Sequence, residues 1–148
     1  MNLEVKKILI VDDDPNDVEL CITALAENNL ANEVIVAEDG VEALDYLYQR
    51  GRYADYEKGN PAVILLDIKM PRMNGIEVLK HIRSDSDFRL IPVIMVTSSR
   101  EEKDLVESYK LGANSYVVKP VDFSQFINAM KVLGQYWVVI NQLPSSGK

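Results

Sequence analysis

The chain has 148 residues, 47% hydrophobic and 26% charged, proportions that suit one globular domain around one core. Its formal net charge of −7 argues against non-specific nucleic-acid binding and favours protein partners, cationic ligands or metal. The longest apolar runs, such as AVILL and YWVVI, fall far short of the roughly 18 residues of a membrane helix. MNLEVKK lacks the apolar core of a secretory leader, so a cytoplasmic protein is expected.

Strand-like and helix-like segments alternate from the N-terminus. Lys7–Val11 reads as the first strand and runs straight into Asp12, Asp13 and Asp14. Asp14 fits a helix N-cap, Pro15 the first helical position and Asp17 an acid in the first turn. The only cysteine, Cys21, rules out an internal disulfide and a multi-cysteine zinc site. It shares a helical face with Val18, Ile22 and Leu25 and is expected in the core. Glu33–Ala37 reads as the second strand, and Asp39-x-x-Glu42 has the capping-box spacing of a second helix. The connection YLYQRGRYADYEKGNP is longer than the usual few residues and is crowded by Tyr46, Tyr48, Tyr53 and Tyr56. Strands at Ala62–Leu66, Pro92–Val96 and Ser115–Val118 are followed by cap signals at Asn74-x-x-Glu77, Ser99-x-x-Glu102 and Asp122-x-x-Gln125. His81 is expected to be a solvated helix residue, Met70 and Met73 to pack a loop, and LPSSGK to form a polar tail.

Strands apolar on both faces, such as AVILL and VIMV, belong in the middle of a parallel sheet covered by helices. Five strands, each followed by a capped helix, predict a (βα)5 α/β domain. Right-handed crossovers make it a doubly wound five-stranded parallel sheet, flavodoxin-like, in strand order 2-1-3-4-5. One domain is expected over residues 1–148, with a core at about 5–135 and a last helix reaching about 143. Such sheets bind ligands outside the carboxyl ends of their strands. Asp12 and Asp13, Asp67, Thr97 with Ser98, and Lys119 with Pro120 stand at those ends and should converge on one rim.

Three carboxylates about 5 Å apart repel by roughly 3 kcal/mol per pair at an effective dielectric of 20. Lys119 offsets one charge, and Mg²⁺, a hard ion that takes carboxylate, water and phosphate oxygens, would offset the rest. No histidine or cysteine stands at the rim, so zinc is not expected. Asp67, alone at its strand end, can act as a nucleophile toward phosphorus and form an acyl phosphate. The metal and lysine would neutralise the charge that develops on the phosphoryl oxygens. Thr97 offers them a hydroxyl. No Gly-rich phosphate loop is present, so the phosphate is expected to arrive on a donor.

ILIVDDD, ILLDIKMPRMNG, VIMVTSS and SYVVKP, in this order and at these separations, closely resemble the receiver domain of two-component response regulators, the CheY-like family. The resemblance covers about residues 5–135. It implies that Asp67 accepts a phosphoryl group from a histidine kinase and that Asp13 and Asp67 ligate Mg²⁺, with Asp12 helping through water. It further implies that the Lys69 backbone carbonyl is a metal ligand and that Lys119 pairs with the phosphoryl group, next to a cis peptide before Pro120. Thr97 would be the switch hydroxyl and Tyr116 the aromatic that swings inward when Thr97 moves. Such a protein is not an enzyme that turns over a small substrate; its chemistry is self-phosphorylation and slow self-dephosphorylation. Lys69 would either lie over the phosphoryl group and slow its hydrolysis or point to solvent. The small Ser98 and Ser99 would leave water a path.

Two other readings compete. A Mg²⁺-dependent phosphohydrolase with an aspartyl-phosphate intermediate would carry a second aspartate two residues after the nucleophile, where this chain has Lys69. A phosphorylation-independent adaptor would bind its partner equally well as Asp67→Asn. A stand-alone receiver is expected, with a surface as its output. Phe126, Met130, Leu133, Trp137 and Ile140 make a core-facing stripe on the last helix. A second stripe, Ala129, Val132, Tyr136, Val139 and Leu143, is expected either to fold back on its own domain or to make a two-fold homodimer interface. That interface would lie on the helix 4–strand 5–helix 5 face. The long tyrosine-rich connection, with a tryptophan in the last helix, resembles the small receivers that partner bacterial phytochrome-type histidine kinases.

Overall fold

The computed structural model of the protein describes residues 7–27, 33–57, 59–119 and 124. Pro120, the Asp122-x-x-Gln125 signal, the last helix and the interface candidates Val132, Tyr136 and Val139 lie outside the described residues, as does Trp137. The described residues form five strands: β1 (Lys7–Val11), β2 (Glu33–Ala37), β3 (Val63–Leu66), β4 (Val93–Thr97) and β5 (Ser115–Val118). They pair in parallel in the order β2-β1-β3-β4-β5, as their alternation with helices predicts. The third strand begins one residue later than expected. The fourth is shifted by one, excluding Pro92, which lacks a donor for the ladder, and including Thr97.

The pleat sends alternate side chains to opposite faces. Leu9, Val11, Ile64, Leu66, Val93 and Met95 join one buried cluster with side chains of helices α2 (Gly40–Tyr48) and α3 (Gly75–Ser84). Ile8, Ile10, Val63, Leu65, Ile94 and Val96 join another with Cys21, against which Val18 and Ile22 of α1 (Pro15–Glu27) pack. Each fully buried aliphatic contributes about 1.5–3 kcal/mol. Burial pushes the Cys21 thiol up to about 12, so it is a core group rather than a reactive one.

Three predicted caps form. Asp14 Oδ1 accepts from the Asn16 amide at 2.9 Å, Asp39 Oδ1 from the Glu42 amide at 2.9 Å, and Asn74 with Glu77 makes the complete reciprocal box. Glu42 does not return the bond to Asp39; its carboxylate accepts from the Glu38 amide at 3.0 Å. The Ser99-x-x-Glu102 expectation fails. Helix α4 (Glu102–Lys110) starts from Glu101, which supplies no side-chain cap bond. Ser99 Oγ instead donates to Asp104 Oδ2 at 2.5 Å.

The tyrosines of the loop after α2 pack against one another and against Tyr46 of that helix. Tyr46, Tyr53 and Tyr56 meet edge to face with ring centroids 5.1 to 6.1 Å apart, a favourable quadrupole geometry. Tyr53 sits in a short 3-10 turn, Gly51–Tyr53, and its hydroxyl donates to the Val36 carbonyl at 3.1 Å.

Candidate functional site

Parallel pairing brings the carboxyl ends of β1, β3, β4 and β5 to one edge, and the predicted residues meet there. Asp12, Asp13 and Asp67 offer carboxylate oxygens that all lie within 4.8 Å of one another. Asp12 and Asp67 are buried and Asp13 is exposed. The donor set is all oxygen, beside a lysine, which fits a hard divalent cation and not a thiolate-seeking one. The register matters: β1 and β3 pair Val11 with Leu66, so Asp12 and Asp67 each follow the last pair of the ladder. The Asp67 amide donates to the Val11 carbonyl at 3.0 Å.

The two oxygens of Asp67 differ. Oδ1 accepts from the Ile68 amide at 2.7 Å. Oδ2 receives Lys119 Nζ at 3.3 Å, a long contact that leaves it the freer oxygen. Asp12 is held by the Asp14 amide on Oδ1 at 2.9 Å and by Lys119 on Oδ2 at 2.8 Å. Burial raises the Asp12 carboxyl above its ordinary value, and the Lys119 bond opposes but does not cancel this. Burial alone would lower the Lys119 ammonium. Its bonds to Asp12 and Asp17 and the charge of Asp67 outweigh that and hold it above the ordinary lysine value. The lysine is a fixed positive charge.

Sequence reasoning missed Asp17 as a member of this site. Its sequence position reads as an acid in the first turn of α1, yet its Oδ2 accepts from Lys119 Nζ at 2.7 Å. The available signal is Lys119 at the rim facing more acids than the three at the strand ends, with one of them a turn into the adjoining helix.

Thr97 is fully buried at the end of β4, and its Oγ1 accepts from the Ser99 amide at 3.2 Å. The half-buried Tyr116 donates its hydroxyl to the Ser99 carbonyl at 3.2 Å, so one loop residue ties Thr97 to Tyr116. Ser98 is exposed and Ser99 buried. Lys69 is exposed and reaches Glu101 Oε1 at 3.6 Å, which bridges the loops after β3 and β4. His81 is exposed, and Met70 and Met73 pack partly buried against the core.

A second contact was also not anticipated. Arg72 has a positive φ of 66°, and its guanidinium meets Asp39 bidentately at 2.8 and 3.1 Å. The arginine holds the Asp39 carboxyl below its ordinary value against the opposing effect of burial. Gly40 and Gly75 bring α2 and α3 onto the loop after β3. A Cβ on Gly40 would run into the Met73 carbonyl oxygen, and one on Gly75 into the Asp67 carbonyl oxygen.

Known proteins are similar to this chain in sequence and fold. The response regulator Rcp1 of Synechocystis sp. is 32% identical over 141 residues, covering 95% of both chains. A solved structure described as the Mn²⁺-bound form of response regulator Rcp1 matches with a TM-score of 0.76 at 32% identity, over 89% of this chain and 94% of that one. The bacteriophytochrome response regulator RtBRR is 56% identical with a TM-score of 0.79, over 88% of this chain and 79% of that one. The phosphorylated cyanobacterial phytochrome response regulator RcpA is 38% identical with a TM-score of 0.78, over 91% and 95% of the two chains. The family model described as the response regulator receiver domain matches residues 8–131, a span that contains every residue of the carboxylate–lysine rim, and the chain belongs to that family.

Proposed function

We propose that this chain is a phosphoryl-accepting signalling switch in which Asp67 takes a phosphoryl group from the phosphohistidine of a histidine kinase. The observation that carries the reading is the convergence of Asp12, Asp13 and Asp67, with oxygens within 4.8 Å of one another, beside a lysine that contacts both Asp12 and Asp67. Oδ2 of Asp67 attacks phosphorus and the new O–P bond forms as the donor's N–P bond breaks. The bonding pair leaves on nitrogen, which takes a proton from water. Later attack by water restores the carboxylate and releases inorganic phosphate.

Asp13, Asp67, the Lys69 backbone carbonyl and, through water, Asp12 would hold Mg²⁺, which when bound supplies positive charge beside the phosphoryl oxygens. Lys119 neutralises an equatorial oxygen, and Thr97 gives up the Ser99 amide to donate its hydroxyl to another. Tyr116, which shares Ser99 with Thr97, then rearranges with α4, so that the new charge biases a two-state surface. The chemistry is a half-reaction on the protein and not turnover of a substrate. Lys69, exposed and paired to Glu101, cannot serve as the carboxylic acid of a phosphohydrolase. A phytochrome-type histidine kinase is the partner that the named relatives support, in the cytoplasm, with a homodimer through Val132, Tyr136 and Val139 as the output form.

The test is intact mass after incubation with Mg²⁺ and a small phosphodonor. Wild type is expected to gain one phosphoryl group and Asp67→Asn none; no adduct, or an equal one on both, ends the proposal. The same phosphorylated sample in the analytical centrifuge checks the homodimer, and a monomer at high concentration removes that part alone.

A further inference from the structure

We propose that Asp17 is a positioning residue that divides Lys119 between the metal cluster and the first helix, so that its charge favours the cation and opposes the phosphoryl group. The inference rests on the reading of Asp67 as phosphoacceptor, but half of its test does not.

An ammonium has three N–H donors and no acceptor. In this site all three meet carboxylates, and not equally. Lys119 Nζ lies 2.7 Å from Asp17 Oδ2, 2.8 Å from Asp12 Oδ2 and 3.3 Å from Asp67 Oδ2. The two short contacts have the length of charge-assisted bonds and the third does not. The lysine is drawn toward α1 and away from the nucleophile. Its side chain is 12% exposed and that of Asp17 30%, so the pair is partly screened from water, and its geometry is set by the protein more than by solvent.

Asp17 is not one of the three carboxylates that converge for a cation. A divalent ion in that cluster competes with Lys119 for Asp12, and Asp17 is then the anion left to keep the lysine. It offsets the ammonium, which would otherwise repel the ion, and adds negative potential of its own. Toward a phosphoryl group the sign reverses. The incoming oxygens need the ammonium that Asp17 holds, and Asp17 repels their charge. One carboxylate thus pulls two binding events in opposite directions, which a helix-starting role alone would not do. Its place in the first turn of α1 sets its backbone beside the rim, within reach of Lys119.

The experiment removes the charge and keeps the size with Asp17→Asn, with Asp17→Ser as a second neutral variant suited to a helix start. Glu19→Gln, an exposed position on the same helix, controls for net charge. Mg²⁺ affinity is read by calorimetry on unphosphorylated protein. The ratio of phosphorylated to unphosphorylated chain is read by intact mass at saturating Mg²⁺ and limiting phosphodonor. Both Asp17 variants are expected to weaken Mg²⁺ binding about three- to tenfold while raising the phosphorylated ratio by a similar factor. Asp17→Glu should move both readings back toward wild type, and Glu19→Gln should change neither beyond about twofold. Unchanged Mg²⁺ affinity in the Asp17 variants, or a fall in both readings together, overturns the inference. A wild type that takes no phosphoryl group overturns the proposed function instead, and the Mg²⁺ reading still decides the role of Asp17.

Discussion

The loops after β3 and after β4 flank the same carboxylate rim and are held in opposite ways. The first is fastened to its surroundings on several sides. The Gly75 amide donates to the Ile68 carbonyl at 2.8 Å, Gly40 and Gly75 admit no Cβ, and Arg72 grips Asp39 with two bonds. It leads into α3, which has a complete capping box and buries Gly75, Val78, Leu79 and Ile82. The second loop is tied by single side-chain bonds through Ser99 to Thr97, Tyr116 and Asp104. It leads into α4, which lacks a side-chain cap bond and buries Ser108 alone, while Leu105, Val106 and Tyr109 stand exposed. Regions with few buried contacts open at low free-energy cost. Asp67, the proposed phosphoacceptor, therefore sits on a rigid wall, and the Thr97 hydroxyl that would answer a new charge sits beside an element that can move.

Gly75→Ala strikes the rigid side and should have the largest effect. The added methyl collides with the Asp67 backbone, and overpacking against main chain costs about 3 kcal/mol, read as a lower urea midpoint. A midpoint equal to that of wild type would mean that the wall yields easily, and the contrast between the loops would be lost.

Ser99→Ala strikes the soft side. Losing the bond to Asp104 should cost about 1 kcal/mol. Hydrogen exchange is expected to quicken in α4 while α3 keeps its protection. Equal acceleration in both helices would show that they open as one unit.

The smallest effect is expected from Asp39→Asn, because Arg72 is 56% exposed and exposed pairs are weak. Asparagine keeps the N-cap acceptor and removes the charge that faces Arg72 together with the oxygen that accepts from its Nε. The Asp39 carboxyl is held below its ordinary value, through Arg72 and the Glu42 amide acting against burial. Its contribution is therefore full above about pH 4, the unfolded value, and is lost as pH falls through the lower folded value. The stability gap between wild type and variant should be present at neutral pH and close in acid. A gap that persists at about pH 2 would show that the charge of Asp39 is not what binds the two elements.

Much of this was legible because it is local or periodic. Continuous apolar runs flanked by capped helices announced a parallel sheet, and each strand lies within one residue of its expected place. The caps at Asp14, Asp39 and Asn74 follow from contacts two or three residues long. The Ser99 cap failed because its hydroxyl found Asp104 and its carbonyl the Tyr116 hydroxyl, 17 residues away. Asp17 was hidden for the same reason, since 102 residues separate it from Lys119. The grip of Arg72 on Asp39 spans 33 residues and depends on a backbone angle that nothing about an arginine announces.

The amino-acid order by itself determined which strands form, how they sort into a sheet and which side chains end at its rim, because hydrophobic period and cap chemistry act over a few residues. Only the tertiary structure decided how one ammonium is shared among three carboxylates, and which loop is clamped and which is loosely tied. Those outcomes rest on distances between segments far apart in the chain, where a few tenths of an ångström separate a charge-assisted bond from a long contact.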